Sequence, residues 1–318
     1  MRVKLRSNEG KGKDMLTVLA PAKINLTLEV LGKRPDGFHE IRSVIQAIGL
    51  CDSLHLELSR QVAFKCDMPG WVAEESLVSK AVTLLQQATG CSKGVTIEVA
   101  KRIPLMAGLG GDSSDAAAAL RGLNRLWELN LPLEKLLELA WQLGSDVSFF
   151  LYGGTALLEG RGEIVTPLHP LPHSWLVLAL PPVPRLPGKT RRLYESLSAN
   201  HYTDGRITQQ FVDELKAGKP PSLLFNTFEF VDELKAGKPP SLLFNTFENV
   251  AFSLFPGLAT AREHVIKLGA TDVHLAGSGP ALFSILPDKA RAEELYSLLE
   301  RQQMAPYLAE TLPATNVT

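Results

Sequence analysis

"PLMAGLGGDSSDAAAAL", residues 104–120, sets glycines, two serines and two aspartates directly before an alanine run. Glycine lets backbone N–H groups close on an oxygen, and the N-terminus of the helix that alanines favour carries partial positive charge. The stretch therefore reads as an anion cradle at a helix start. Neither common nucleotide fingerprint fits it. GxxxxGK[ST] ends in a lysine and a hydroxyl, whereas Gly111 is followed by Asp112, Ser113 and Ser114. GxGxxG begins well at Gly108 and Gly110, then finds Ser113 in place of its third glycine.

Working outward, "GVTIEVAKRIP" before the cradle alternates as a strand, so the glycine loop joins a strand to a helix running from about Asp115 to Leu129. A second helix, Leu133 to Leu143, stops at Gly144. Upstream, "EESLVSKAVTLLQQATG" places Leu77, Ala81, Leu84 and Leu85 at helical spacing and stops at Gly90. Before that, "LTVLAPAKINLTLEV" alternates, with Ile24, Leu26, Leu28 and Val30 on one face and Lys23, Asn25, Thr27 and Glu29 on the other. This predicts a half-buried strand carrying a polar row. A Pro-Asp-Gly turn follows, and then two further strands, Ile41 to Leu50 and Ser53 to Leu58, completing an N-terminal meander.

Downstream, a strand from Trp175 to Leu180 lies between proline clusters, which commonly mark domain boundaries. The expected division is a disordered leader at 1–14, an N-terminal domain at 15–168 and a C-terminal domain at 169–318. Structured sequence is expected to begin at Met15, a second candidate start residue. "FVDELKAGKPPSLLFNTFE" at 211–229 recurs unchanged at 230–248. Solenoids need three or more units to bury a continuous core, so two undrifted copies indicate a recent duplication or an assembly error, with no chemistry of their own. After them, "ENVAFSLFPGLATAREHVIKLGA" reads as two helices, and "DVHLAGSGPALFSIL" as strand, Gly-Ser-Gly turn and strand.

The chain has 318 residues, 45% of them hydrophobic, enough for a substantial core in two domains. With 33 basic against 34 acidic residues it has no global field for nucleic acid or an anionic membrane. No apolar run approaches the roughly 20 residues of a membrane span. The three cysteines, Cys51, Cys66 and Cys91, make neither a CxxC pair nor an even disulfide set, which suits reduced thiols in the cytoplasm.

Taken together, "PAKINLTLEVLGKRPDGFHEI", "PLMAGLGGDSSDAAAAL", "GSDVSFF" and "LAGSGPALFSIL" occur in the order of the conserved segments of the GHMP-type small-molecule kinases, and the chain resembles that family from Met15 almost to its C-terminus. Within the family the likeness is strongest to the branch whose acceptor is diphosphocytidyl-methylerythritol; homoserine and mevalonate kinases, or a non-catalytic binding protein of the same fold, are the alternatives. The resemblance implies an α+β, two-domain GHMP kinase fold, with an N-terminal domain of the ribosomal protein S5 domain 2-like kind and a ferredoxin-like C-terminal domain. It implies ATP with Mg²⁺ as donor, no dedicated metal cage, a small-molecule acceptor, no nucleic-acid or membrane partner, and a monomer or weak homodimer.

Phosphoryl transfer needs the triphosphate held, its developing charge neutralised and the acceptor hydroxyl deprotonated in line. By resemblance the first task falls to the loop Pro104, Leu105, Met106, Ala107, Gly108, Leu109, Gly110, Gly111, Asp112, Ser113 and Ser114. Lys23 and Asp146 match the catalytic pair, Asp146 as proton acceptor and Lys23 as the cation that orients it. Phe38 and His39 match the element that reads the cytosine ring, by stacking and hydrogen bonding, and Asn25 points into the same site. Most relatives have tyrosine at Phe38, so stacking survives without a phenolic hydrogen bond. Ser113 and Ser114 suit helix capping as well as phosphate contact. Asp112 stands where a third consecutive glycine is usual and must point away from the triphosphate; capping beside Ser113 is favoured over a contact to Mg²⁺.

Overall fold

The computed structural model describes residues 15–184, 186–218, 243–270 and 272–314. The leader at 1–14 and the centre of the duplicated segment, 219–242, lie outside them. In chain order the elements are β1 (Met15–Asn25), β2 (Thr27–Lys33), β3 (His39–Ser59), β4 (Ala63–Lys65), α1 (Leu77–Thr89), β5 (Gly94–Ala100), α2 (Gly111–Leu126), α3 (Leu133–Leu143), α4 (Ser145–Tyr152), β6 (Thr155–Gly160), β7 (Ile164–Pro167) and β8 (Trp175–Ala179). They continue as α5 (Lys189–Ser196), α6 (Arg206–Lys216), β9 (Phe244–Asn245), α7 (Glu248–Leu254), α8 (Leu258–Lys267), β10 (His274–Leu275), β11 (Leu282–Leu286), α9 (Lys289–Arg301) and β12 (Pro306–Glu310).

Strand β3 is the spine of the first sheet. Its first half pairs with β2 and β6, its second half with β1 and β5, all antiparallel. The two strands expected at 41–50 and 53–58 are thus one, running unbroken through Cys51 and Asp52. The single strand expected at 16–30 is instead two, because the chain turns at Leu26 between β1 and β2. Nor is it half-buried. Lys23, Asn25, Thr27 and Glu29 are as enclosed as the apolar residues between them. Elements from the second half of the chain cover the polar row: Thr208 N–H donates to Glu29 Oε2, Thr208 Oγ1 donates to Thr27 Oγ1, and Val30 N–H donates to Thr246 Oγ1.

Helix α2 lies on the first sheet with Ala116 to Leu120, Gly122 and Leu123 buried. A Cβ on Gly122 would sit 3.0–3.1 Å from Leu56 and Val18, so small residues let helix and strands close together. The second sheet has the order β10-β11-β8-β12. The two sheets share a core, in which Ile24, Ile48, Ala107 and Leu109 pack with Leu178, Phe283 and Phe211. Strand β9 returns to pair with β2 in parallel, and Thr311 bridges to Ile48. No helix among the described residues is long and apolar enough to cross a membrane.

Candidate active site

The glycine cradle and the Gly277-Ser278-Gly279 turn converge on Lys23. Its backbone N–H donates to Leu109 O of the cradle at 3.0 Å, and Ala281 N–H donates to Ala107 O at 3.2 Å, so the cradle is held between β1 and the turn. Gly110 takes φ +72°, and a Cβ there would press on Phe150 and on Lys23 Cγ within 3.0 Å. Gly277, at φ +54°, leaves space in which a Cβ would stand 2.8 Å from Lys23 Nζ, 2.9 Å from Gly108 O and 3.2 Å from Asn25 Oδ1. Only glycine suits such a position, by backbone angle and by space.

Lys23 is buried, and its Nζ donates to Asn25 Oδ1 at 2.7 Å; Asn25 Nδ2 in turn donates to Ser43 Oγ at 2.8 Å. Each end of the Asn25 amide makes one hydrogen bond inside the protein, and its Oδ1 holds the Lys23 ammonium in place. Burial lowers the Lys23 pKa, and the charge of Asp146 works against that shift. Asp146 lies in the first turn of α4 behind Gly144, at a helix N-terminus where negative charge is favoured. Lys23 and Asp146, the pair expected from the sequence, lie near enough for the carboxylate charge to act on the ammonium.

Beyond Asp146 stands Tyr194 of α5. Burial and the Asp146 charge push its phenol up to about 12, so it remains a hydrogen-bond donor at neutral pH. Its ring stacks on His39, with centroids 4.7 Å apart and planes at 20°. Tyr202 Oη lies 3.4 Å from His39 Nε2. Burial and Lys33 lower the His39 pKa, which favours neutral imidazole. Phe38 is 55% exposed, with the Arg161 guanidinium 4.6 Å above its ring.

The cradle differs from the sequence reading at its end. Helix α2 starts at Gly111 rather than Asp115, and its N-cap is Gly110 in a left-handed conformation with no side-chain cap. Ser113, Ser114 and Asp112 do not cap it. Ser114 Oγ is buried with no hydrogen-bond partner among the described residues. Asp112 accepts the backbone N–H of Leu77 and so steadies the start of α1. Ala107 and Leu109 are buried, leaving only their backbone to the cradle, while Met106 is exposed. The cradle's approach is fixed by a buried triad: Lys101 Nζ donates to Asp52 Oδ2 at 2.5 Å and to Asp115 Oδ2 at 2.7 Å, and Asp52 Oδ1 accepts the N–H groups of Arg102 and Ile103.

Sequence reasoning missed Tyr194, Lys189 and Asn245. Asn245, inside the duplicated segment, donates through Nδ2 to Leu275 O and Gly277 O and so shapes the Gly-Ser-Gly turn. The segment expected to be chemically silent supplies this support. Its signal in the sequence is the Asn, Thr and Glu of "FNTFE", three polar residues among two aromatics.

Comparison with known proteins identifies the family and the fold. Residues 76–154 match the GHMP kinases N terminal domain and 234–305 the GHMP kinases C terminal domain. A 4-diphosphocytidyl-2-C-methyl-D-erythritol kinase of Dehalococcoides mccartyi is 47% identical over 94% of this chain and 99% of its own. Its counterpart from Shouchella clausii is 36% identical over 88% and 89%. A crystal structure of 4-(cytidine 5'-diphospho)-2C-methyl-D-erythritol kinase superposes with a TM-score of 0.75 at 32% identity, covering 93% of this chain and 98% of that one. A homoserine kinase from Cytophaga hutchinsonii, at 18% identity and TM-score 0.68 over 97% and 98%, shares the fold.

Proposed function

The chain belongs to the 4-diphosphocytidyl-2-C-methyl-D-erythritol kinases, a branch of the ATP-dependent GHMP kinases, and we propose that Lys23 and Asp146 carry its phosphoryl transfer in the manner set out here. The donor is ATP as its magnesium complex, and the acceptor is the 2-hydroxyl of 4-diphosphocytidyl-2-C-methyl-D-erythritol. The phosphorylated product belongs to the methylerythritol phosphate route to isoprenoids, in the cytoplasm.

The observation that carries the assignment is the buried Lys23 ammonium, aimed by Asn25 and electrically linked to Asp146 at the mouth of the glycine cradle. Backbone N–H groups of residues 108–112 receive the triphosphate. Asp146 takes the proton of the attacking hydroxyl as its oxygen bonds the γ-phosphorus, while the bond from that phosphorus to the β,γ-bridging oxygen breaks and ADP leaves with that oxygen. Lys23 stands where negative charge gathers during transfer, and because its surroundings are dry and fixed, that charge is met without reorganisation. His39, supported by Tyr194 and Tyr202, presents a planar polar edge beside the exposed Phe38 ring, a combination suited to a flat heterocycle such as cytosine.

The test is an ATP-consumption assay with a panel of acceptor alcohols, 4-diphosphocytidyl-2-C-methyl-D-erythritol, homoserine and mevalonate among them. Turnover confined to the first is expected. Asp146→Asn should bind ATP nearly normally and lose roughly 10²-fold or more in kcat. Near-normal turnover in that variant would remove Asp146 from the chemistry.

A further inference from the structure

Lys189 opens α5 after the proline-rich stretch 181–187, and it is only 9% exposed. Its Nζ donates to Ser278 Oγ at 2.6 Å and to Gly279 O, the same turn that stands against Lys23 and the cradle. Thr190 Oγ1 lies 3.0 Å from Ser278 Oγ and fixes that hydroxyl from the other side. Both acceptors of the Lys189 ammonium are neutral, and an ammonium has three N–H donors. Lys189 also borders an open cavity of about 300 Å³, together with Leu105 and Met106 of the cradle and Pro280. A buried cation with no carboxylate partner among the described residues, next to a second cation and opening on a phosphate loop, is an arrangement that an anion completes.

We propose that Lys189 is a second phosphate-binding cation of the active site, contacting a phosphate oxygen of the bound substrates from the side opposite Lys23. The inference rests on the phosphotransfer reading above. Two phosphate chains enter this site, the triphosphate of the donor and the diphosphate of the acceptor, and both offer the same chemistry. Among the described residues, the charged group that acts on Lys189 is Lys23; burial first, and then that charge, bring Lys189 down to about 7. Without an anion the ammonium therefore holds its proton weakly near neutral pH, and a bound phosphate strengthens that hold.

The test uses the full chain as wild type, Lys189→Met and Lys189→Arg. Initial rates are measured against each substrate between pH 6 and 9, with thermal midpoints and direct titration of ADP and of CDP by calorimetry. Lys189→Met should keep or raise the thermal midpoint, since it removes a costly buried charge. It should raise one KM by roughly 10- to 100-fold, the loss expected for a charge-assisted hydrogen bond. A rise for ATP with weaker ADP binding assigns the donor triphosphate; a rise for the acceptor with weaker CDP binding assigns the acceptor diphosphate. In wild type the same affinity should fall as pH rises above about 7, and Lys189→Arg should hold it level, because guanidinium does not deprotonate in this range. Unchanged KM and nucleotide affinity in folded Lys189→Met would overturn the proposal. So would a wild-type pH profile that Lys189→Arg leaves unaltered, a result that also decides the matter should the methionine variant fail to fold. The ADP and CDP titrations need no turnover, so failure of the acceptor assignment is distinguishable from failure of Lys189.

Discussion

Replacing Asp115 by asparagine tests how the cradle is anchored. Lys101, its side chain 1% exposed, lies between two carboxyl groups that are fully buried, so one ammonium serves two acids. The two acids are not equivalent. Asp52 collects the ammonium and two backbone N–H groups, whereas Asp115 has the ammonium alone and its Oδ1 has no partner among the described residues. Burial, aided by the Asp52 charge, outweighs the pull of Lys101 and pushes Asp115 up to about 8 from an ordinary 3.8. The sign follows from proton counts. Between those two values the folded chain holds a proton that the unfolded chain has released, so this group withdraws stability as pH rises, with a slope of about 1.4 kcal/mol per pH unit for one proton.

An asparagine amide has no such proton to hold, and the Asp115→Asn variant loses that slope. Urea unfolding at pH 5 and pH 7 is the assay. At pH 5 Asp115→Asn should cost about 1 kcal/mol, the loss of one hydrogen bond. By pH 7 the comparison should have moved some ~2–3 kcal/mol in the variant's favour. Asp52→Ala should behave otherwise, costing about 3–5 kcal/mol at both pH values, because it strands Lys101 and two buried N–H groups. It should also raise the KM for ATP, since Arg102 and Ile103 lead into the cradle. Parallel pH dependences for wild type and Asp115→Asn would refute the unequal sharing of the triad.

Gly277→Ala places a methyl against Lys23 Nζ and Gly108 O at a positive φ, so kcat should fall by roughly 10²-fold while circular dichroism shows an intact fold. His39→Ala removes the ring stacked on Tyr194 and should raise the acceptor KM more than the ATP KM; the reverse pattern in initial-rate kinetics would put this element on the donor side. Deleting one 19-residue copy gives the same chain whether 211–229 or 230–248 is removed, because the copies are identical. The remaining copy supplies both the α6 residues Phe211, Val212 and Leu215 and the Asn245 contact to the turn, so thermal midpoint and turnover should be retained, and a large drop in either would show that the extra length is packed.

What the sequence made legible, and what it hid, divides along the range of the interactions involved. Helix α3 and the C-terminal stop of α1 at Gly90 are local matters, and they fall where apolar spacing and glycine put them. The errors lie where a polar residue finds its partner far along the chain. Asp52 looks like a break between two strands until Lys101, 49 residues on, neutralises it inside one strand. Lys23, Asn25, Thr27 and Glu29 look solvated until Ser43, Thr208 and their neighbours close over them. Asp112 resembles a cap for the helix it begins, yet its acceptor oxygens serve α1 instead.

The site follows the same division. Lys23, Asp146 and the cradle lie in short ordered segments whose composition is unusual enough to be noticed. Tyr194, Lys189 and Asn245 sit in ordinary sequence, and each acquires meaning only from the tertiary neighbour it meets: Asp146 and His39 for the phenol, Ser278 for the ammonium, Gly277 for the amide. A buried lysine in a proline-rich connection reads in one dimension as a solvated loop residue, the commonest fate of lysine. Its burial beside a second cation is what changes that reading, because desolvation and a like charge both disfavour the ammonium and an opposite charge offsets them.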